Sequence, residues 1–290
     1  MEHLAVFKTR YLQQLAAVRS FSDSYKVWEP HIRTILGDKI DGQSLFNLGD
    51  QLSEIFRTTG GEGRTQGSLS GGGAAWECLV CWYLNLIFWN TPIFVARQNR
   101  HFVPSVINDS ICVTISNTQT NTESDIVIFS VPEVEYLHGS ALDDLNNHLV
   151  ERIGDAELCV LQCKTNWNDN AQIPMLWDMI YNSSTFRIPY VSVGRNGVNP
   201  SSYRQFSYAF VTVPSNQGVY RAMNTSVLRV KGLTGGNYWG KSTEQNVAAS
   251  IKELAGRRFP TVFVGGVISH IDRSIDAGTL DPERFIACSW

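Results

Sequence analysis

Asp125-Ile126-Val127-Ile128-Phe129 and Leu158-Cys159-Val160-Leu161-Gln162-Cys163-Lys164 decide how this chain is read. Each is an apolar, strand-like run with a polar group at one end. The first begins on an acid, and the second delivers a polar residue, one spacer and a lysine. Alternation along the second run puts Leu158, Val160, Gln162 and Lys164 on one face, with Glu157 on the other. Paired side by side, the two runs bring an acid against a polar-x-lysine.

The elements around them build outward from this pair. Leu4, Phe7, Tyr11, Leu15 and Val18 recur at helical spacing, so 3–21 reads as an amphipathic helix, with further helices near 29–37 and 43–58. Residues 58–73, rich in Gly and Ser, read as a flexible loop that orders on a ligand. The run 74–89 is apolar on all sides, which places its helix at the centre of the fold. Glu77 is its one charge: either a first-turn acid favouring the helix dipole or a carboxylate aimed at an active centre. Strands are expected at 92–97, 111–116 and 125–131, the last two joined by a polar turn. A helix near 140–152 precedes strand 157–164, a helix follows at 171–181, and strands are expected at 189–193, 206–213, 226–231 and 261–268. Together these predict an α/β fold, a central mixed β-sheet flanked by helices with an N-terminal helical part (1–58). We read 1–290 as one domain, with a core at 70–215 and a basic region at 187–258.

The chain has 290 residues and is 43% hydrophobic and 18% charged, the composition of an ordinary globular protein. Six cysteines in this length do not make a disulfide framework. Cys78-x-x-Cys81 lacks a second Cys/His pair and falls in the apolar helix, so buried reduced thiols are expected. Met1-Glu2-His3 lacks a basic leader, and the longest apolar run is too short to span a bilayer, where ~20 residues are needed. A soluble cytoplasmic protein is expected.

The net charge of −3 conceals a segregation. Residues 121–160 hold nine acids and one base, whereas 187–258 hold ten bases and two acids. This suits an acidic metal-binding centre beside a basic surface for a polyanion, or two solvated faces of a protein that binds itself.

Glu77 on a core helix, Ser124-Asp125 leading a strand, and Gln162-Cys163-Lys164 before a helix resemble the PD-(D/E)xK nuclease superfamily, its type II restriction endonucleases in particular. The likeness covers roughly 70–215. It departs from the motif at Ser124, where proline is usual, and at Gln162, where an acid is usual. The resemblance implies a restriction-endonuclease-like core and Mg²⁺-dependent hydrolysis of double-stranded DNA. It also implies 5′-phosphate and 3′-hydroxyl products and a cognate methyltransferase. Phosphodiester hydrolysis uses a metal to neutralise developing charge and acidify a bound water, and Mg²⁺ needs only one or two protein carboxylates. Asp125 would be the principal ligand, with the amide oxygen of Gln162 and, by the resemblance, the carbonyl of Cys163. Lys164 would hold or deprotonate the attacking water. Glu77 or Glu123 would restore the charge missing at 162. Without a metal, Asp125 and Lys164 are a plain cross-strand ion pair. A palindromic site would call for a homodimer.

For DNA contact the candidates are Arg195 and Asn196 in a Gly-flanked loop, Arg204, Arg229 and Lys231 on the strand expected at 226–231, and Asn237, Tyr238 and Lys241 in a glycine-rich loop. That last stretch, Gly235 to Ser242, also satisfies GxxxxGK[ST], with Ser242 and Gln245 as a capping box, so a phosphate-binding P-loop competes. Against it, 48 residues follow Ser242, too few to complete a nucleotide-binding sheet, and no Walker-B acid is evident. A non-catalytic DNA-binding protein on the same fold is the other alternative. The six histidines show no metal spacing, and no Gly-x-Ser-x-Gly elbow occurs.

Overall fold

In the computed structural model the structure is described for residues 1–59, 66–98, 101–120, 124–165, 191–213, 220–234, 237–240, 245 and 247–290. A six-stranded mixed sheet forms its centre. Its strands, in spatial order, are β1 (Ile93–Arg97), β4 (Ile126–Ser130), β5 (Glu157–Lys164), β7 (Gln205–Thr212), β8 (Asn237–Trp239) and β9 (Ala249–Ser250). β1, β4 and β5 are antiparallel neighbours, and β5, β7, β8 and β9 run parallel. A small antiparallel sheet joins β3 (Thr118–Thr120), β2 (Val113–Ile115) and β6 (Val191–Val193). The mixed sheet with flanking helices agrees with the expectation from sequence.

α5 (Gln66–Ile87) crosses one face. Arg97 of β1 shares that face with Ile126 and Leu161 by register, and its guanidinium reaches Glu77 of α5. Trp76, Leu79, Val80, Trp82 and Tyr83 are fully buried, so the helix is enclosed on every side, as its apolar run requires. Outside it lies α2 (Arg19–Leu36), whose Phe21, Tyr25, Trp28, Ile32 and Leu36 repeat at helical spacing and are all buried. α1 (Glu2–Ala16) buries Phe7 and Tyr11 against Phe94 of β1. Most buried side chains from Leu4 to Ile286 form one large core, and Phe210, Val227, Val230 and Val247 form a separate small cluster. All six cysteines are free thiols, five of them buried. Among the described residues, no helix is long and apolar enough to cross a membrane.

Several expected elements are corrected. The helix expected at 3–21 breaks at Ala17–Val18 into α1 and α2. The stretch 43–58 is two short helices, α3 (Gly42–Asn47) and α4 (Leu52–Arg57), joined by a 3₁₀ turn. α5 begins at Gln66, inside the stretch read as a loop. β2 does not form a hairpin with β4: it pairs with β3 and β6. Residues 226–231 are helical, within α8 (Thr225–Thr234; α6 is Ser105–Ser110 and α7 Leu142–Glu151). Val227 and Val230 are buried three apart while Leu228 is exposed, so a helical period overrides the local alternation. After α9 (Lys252–Arg258), Gly265 and Gly266 with φ of 76° and 92° turn the chain into α10 (Val267–Asp276), ending the strand expected at 261–268. α11 (Pro282–Ile286) follows. The helix expected at 171–181 lies outside the described residues.

Candidate active site

β4 and β5 pair with Ile126 opposite Leu161, and one step further sets Asp125 opposite Gln162. Asp125 Oδ2 accepts the Cys163 backbone N–H at 2.7 Å. The Lys164 carbonyl accepts from Val213 on the β7 flank at 3.0 Å. Backbone polarity alternates along a strand, so the N–H and C=O of Cys163 both face the β4 flank, where Asp125 stands. The structure therefore gathers the Asp125 carboxylate and the Cys163 carbonyl on one flank of β5. Lys164 follows at the strand's end on the Gln162 face, and both Asp125 and Lys164 are half-buried.

The Cys163 thiol registers the charges around it. Burial pushes its pKa well above the usual thiol range; the carboxylates of Asp125 and Glu77 push the same way, and Lys164 opposes them. This thiol is an inert neighbour, not a nucleophile. Ser124, immediately before Asp125, is buried and donates its hydroxyl to Gln98 Oε1. The Gln98 N–H in turn donates to the Asp125 carbonyl at 3.0 Å. Asp125 is thus held through its backbone by β1 and through its side chain by β5.

Gln162 is 0% exposed, and its Oε1 accepts the hydroxyl of Tyr208 on β7. Tyr208 stands opposite Val160, on the flank of β5 away from Asp125. The amide oxygen expected to face a metal beside Asp125 is turned across the sheet instead. Tyr208 is the site neighbour that sequence reasoning missed; only the strand register brings it to Gln162. Glu77 Oε2 takes two bonds from Arg97, 2.6 Å from Nη2 and 3.2 Å from Nε, on the α5 face, opposite to that of Gln162 and Lys164. Glu123 lies outside the described residues. Among the described residues no three His, Cys, Asp or Glu side chains converge as metal ligands. A cation here would rest on the Asp125 carboxylate and the Cys163 carbonyl, a hard-donor set that suits Mg²⁺ with several retained waters.

The charge map is redistributed in space. Glu133, Glu135, Asp143, Asp144, Glu151, Asp155 and Glu157 all follow the C-terminal end of β4 or precede and begin β5. That is the opposite end from Asp125 and Lys164, roughly 23 Å away along an eight-residue strand. These acids do not form one centre with Asp125. The basic residues divide too. Arg204 pairs with Glu157, Lys252 with Asp50 at 2.5 Å and Arg257 with Glu253. Arg195 Nε and Asn196 Nδ2 both bind Asp109, at 2.5 and 2.8 Å, and hold a turn in which Asn196 has a φ of 53°. Asp109 is 7% exposed, so this loop is anchored from beneath.

Among the described residues of the basic stretch, α8 and the turn before it carry three more exposed bases. Val227 and Val230 bury against Phe210, which is in register with Gln162, so α8 covers the face that carries Gln162 and Lys164. Arg229 and Lys231 are exposed on it, and Arg221 just before it. The helix starts beyond the end of β7, the same end of the sheet as Lys164.

The described part of the glycine-rich stretch is strand and close packing. Asn237–Trp239 are strand β8, paired on both sides. Tyr238, expected at the surface, is 1% exposed, a core ring. Gly240 gives its carbonyl to Leu52 N–H at 2.9 Å. A Cβ there would lie 2.7 Å from Ser53 N and 2.8 Å from Trp76, so the glycine serves close packing. Lys241 and Ser242, and the side chain of Asn237, lie outside the described residues. No protein-family model matches this chain, and no curated protein matches its sequence.

Proposed function

We propose that this protein is a Mg²⁺-dependent double-stranded DNA endonuclease of the type II restriction kind. One observation carries the reading: the carboxylate of Asp125 is bonded to the Cys163 amide, with the Cys163 carbonyl on the same flank and Lys164 next in the strand. The chain order supports it too: a buried helix, three antiparallel strands, then a strand parallel to the third.

Asp125 and the Cys163 carbonyl would hold Mg²⁺, which when bound neutralises charge on the phosphate and acidifies a water. Lys164 orients that water and balances the developing negative charge. Gln162, held by Tyr208, fixes the end of β5 on which Lys164 stands. Arg221, Arg229 and Lys231 on the same face take phosphate contacts. The protein would act in the cytoplasm, where free thiols persist, as a homodimer placing one centre on each strand of a palindromic site.

A second reading has one observation behind it. Gln162 is neutral and Glu77 is tied to Arg97, which leaves Asp125 as the one carboxylate beside Lys164 among the described residues. A protein that binds DNA without cutting it fits that arrangement. Plasmid DNA incubated with the protein in Mg²⁺ and in EDTA separates the two. Discrete fragments in Mg²⁺ alone, lost in Asp125→Ala and Lys164→Ala, support the nuclease. Binding with no cleavage of diverse unmethylated DNA supports the binding protein.

A further inference from the structure

We propose that Met223 is an apolar wedge that enters a base step of bound duplex DNA and unwinds it. The inference rests on the reading of α8 as a DNA-contacting face, and it says what that face does to the duplex. Met223 is 79% exposed, and Leu228, in the first turn of α8, is 45% exposed. Arg221, Arg229 and Lys231 stand around them at the surface.

The fold holds Met223 out. The Asn224 N–H donates to the Arg221 carbonyl at 2.9 Å, closing a four-residue turn with Ala222 and Met223 at its centre. The Leu228 N–H donates to the Asn224 carbonyl at 2.9 Å, so the turn runs straight into the helix. Tyr220 and Ala222 pack against the cluster of Phe210, Val227, Val230 and Val247, which pins the turn from beneath. Ala222 faces in and its neighbour Met223 faces out. An apolar tip ordered before its partner arrives loses little conformational freedom on binding.

Charge and size together name the occupant. Arg221 and Arg229 have no ion-pair partner among the described residues, and they lie at the same end of the sheet as Lys164. Cationic side chains around an apolar tip complement stacked bases flanked by phosphates. Met223 and Leu228 fall far short of the roughly 800 Å² that a stable protein partner covers on each side. The long apolar face that holds a helix on a membrane is lacking too, because Val227 and Val230 are committed to Phe210. A wedge into DNA needs only one or two apolar side chains, and Met and Leu are among those that serve. Pyrimidine–purine steps unstack most easily, so the wedge favours sites that contain one.

The test uses closed circular plasmid and the full chain in EDTA, which withholds Mg²⁺ and so prevents cutting. A type I topoisomerase that needs no metal relaxes the complex, and the linking number is read after the proteins are removed. An inserted wedge unwinds the duplex, so the wild type should lower the linking number in proportion to the protein bound. Met223→Ala should bind the plasmid within about ten-fold of the wild-type affinity and lose the unwinding. Met223→Leu keeps an apolar wedge and should unwind as the wild type does. Permanganate, which oxidises unstacked thymines, should mark thymines in the wild-type complex and not in that of Met223→Ala. Thermal melting confirms that each variant is folded.

Plasmid bound to saturation with its linking number unchanged overturns the wedge and leaves the DNA reading standing. No binding up to about 100 μM protein overturns both. Unwinding by Met223→Ala equal to that of the wild type also overturns the wedge. Should that variant convert a dimer to a monomer in sedimentation, with unwinding intact, the face belongs to a second copy of the chain.

Discussion

Asp125 Oδ2 accepts the Cys163 N–H at 2.7 Å, which ties the acid leading β4 to the strand that ends in Lys164. This bond separates the structural from the chemical role of the carboxylate. Asp125→Asn retains an acceptor for Cys163 but removes the charge. It should melt within a few degrees of the wild type and lose more than ~100-fold in Mg²⁺-dependent cleavage, the scale on which losing an electrostatic stabiliser is felt. Asp125→Ala strands the amide as well, at about 1–3 kcal/mol of stability. Cleavage by the Asn variant at the wild-type rate would remove Asp125 from the chemistry.

Tyr208 donates to a fully buried amide, so its hydroxyl should matter beyond its ring. Tyr208→Phe keeps the packing of β7 and is expected to lower stability by about 1–3 kcal/mol, read by denaturant unfolding. If Gln162 stabilises the Lys164 end of β5, cleavage should also fall at saturating Mg²⁺. Unchanged stability would show that the Gln162 amide is satisfied without Tyr208.

The strands that matter most were legible because they are buried on both faces. Val127, Ile128, Phe129, Cys159, Val160 and Leu161 form uninterrupted apolar runs, and such runs have few alternatives. α8 was not legible: Val227-Leu228-Arg229-Val230-Lys231 alternates like a strand, and only packing against Phe210 selects the helix. The glycine-rich stretch misled for a related reason. A sequence match to a phosphate loop does not record whether its backbone is committed to a sheet, and here Tyr238 and Trp239 pair with β7 and β9. Of the site, Asp125 and Lys164 were visible as strand termini. The partners of Glu77 and Gln162, Arg97 and Tyr208, were hidden because contacts across a sheet or onto a helix leave no local mark.

Arg195 and Asn196 carry a different expectation once their shared partner is known. Asp109 is buried and binds both, and its backbone carbonyl accepts the Arg195 N–H at 3.1 Å. Asp109→Ala should release the turn and cost about 2–4 kcal/mol, since a part-buried charge loses its partner. Arg195→Ala should likewise lower the melting temperature even without DNA. A variant with normal stability and weakened DNA binding would return Arg195 to a recognition role.

Lys8 gives the fold a pH dependence. Burial holds its ammonium down at about 7, although Nζ donates to the carbonyls of Phe88 at 2.9 Å and Thr91 at 2.8 Å. The unfolded chain keeps its ordinary value of 10.5. Between those values the unfolded state binds the extra proton, so stability rises with pH across that window, by up to ~1.4 kcal/mol per unit. Below it both states are protonated, and the contribution is flat. His270, whose pKa burial lowers from 6.5, adds a slope of the same sign only on the acid side. Lys8→Met should remove the rise between pH 7 and about 8, below the range where the buried thiols, raised from 9.0, begin to lower stability, while leaving the acid limb, as urea unfolding across the pH range would show. A slope unchanged in Lys8→Met would place the titration elsewhere.

The basic face of α8 makes the most direct claim on DNA. Arg221 and Arg229 are exposed, and neither has an ion-pair partner among the described residues, whereas Arg204, Lys252 and Arg257 are each paired with an acid. Phosphate contacts release counterions, and each one lost lowers the slope of log K against log salt by about 0.9. The double variant Arg221→Glu/Arg229→Glu should therefore weaken binding to every duplex sequence and reduce the slope by about 1–2 units. Its thermal stability should not change, because the buried side of α8 is Val227 and Val230. Arg257→Glu, which breaks an existing pair with Glu253, should leave the slope as it is. An unaltered slope in the double variant would move the DNA off α8 altogether, and with it the argument that Lys164 and the basic helix share one working face.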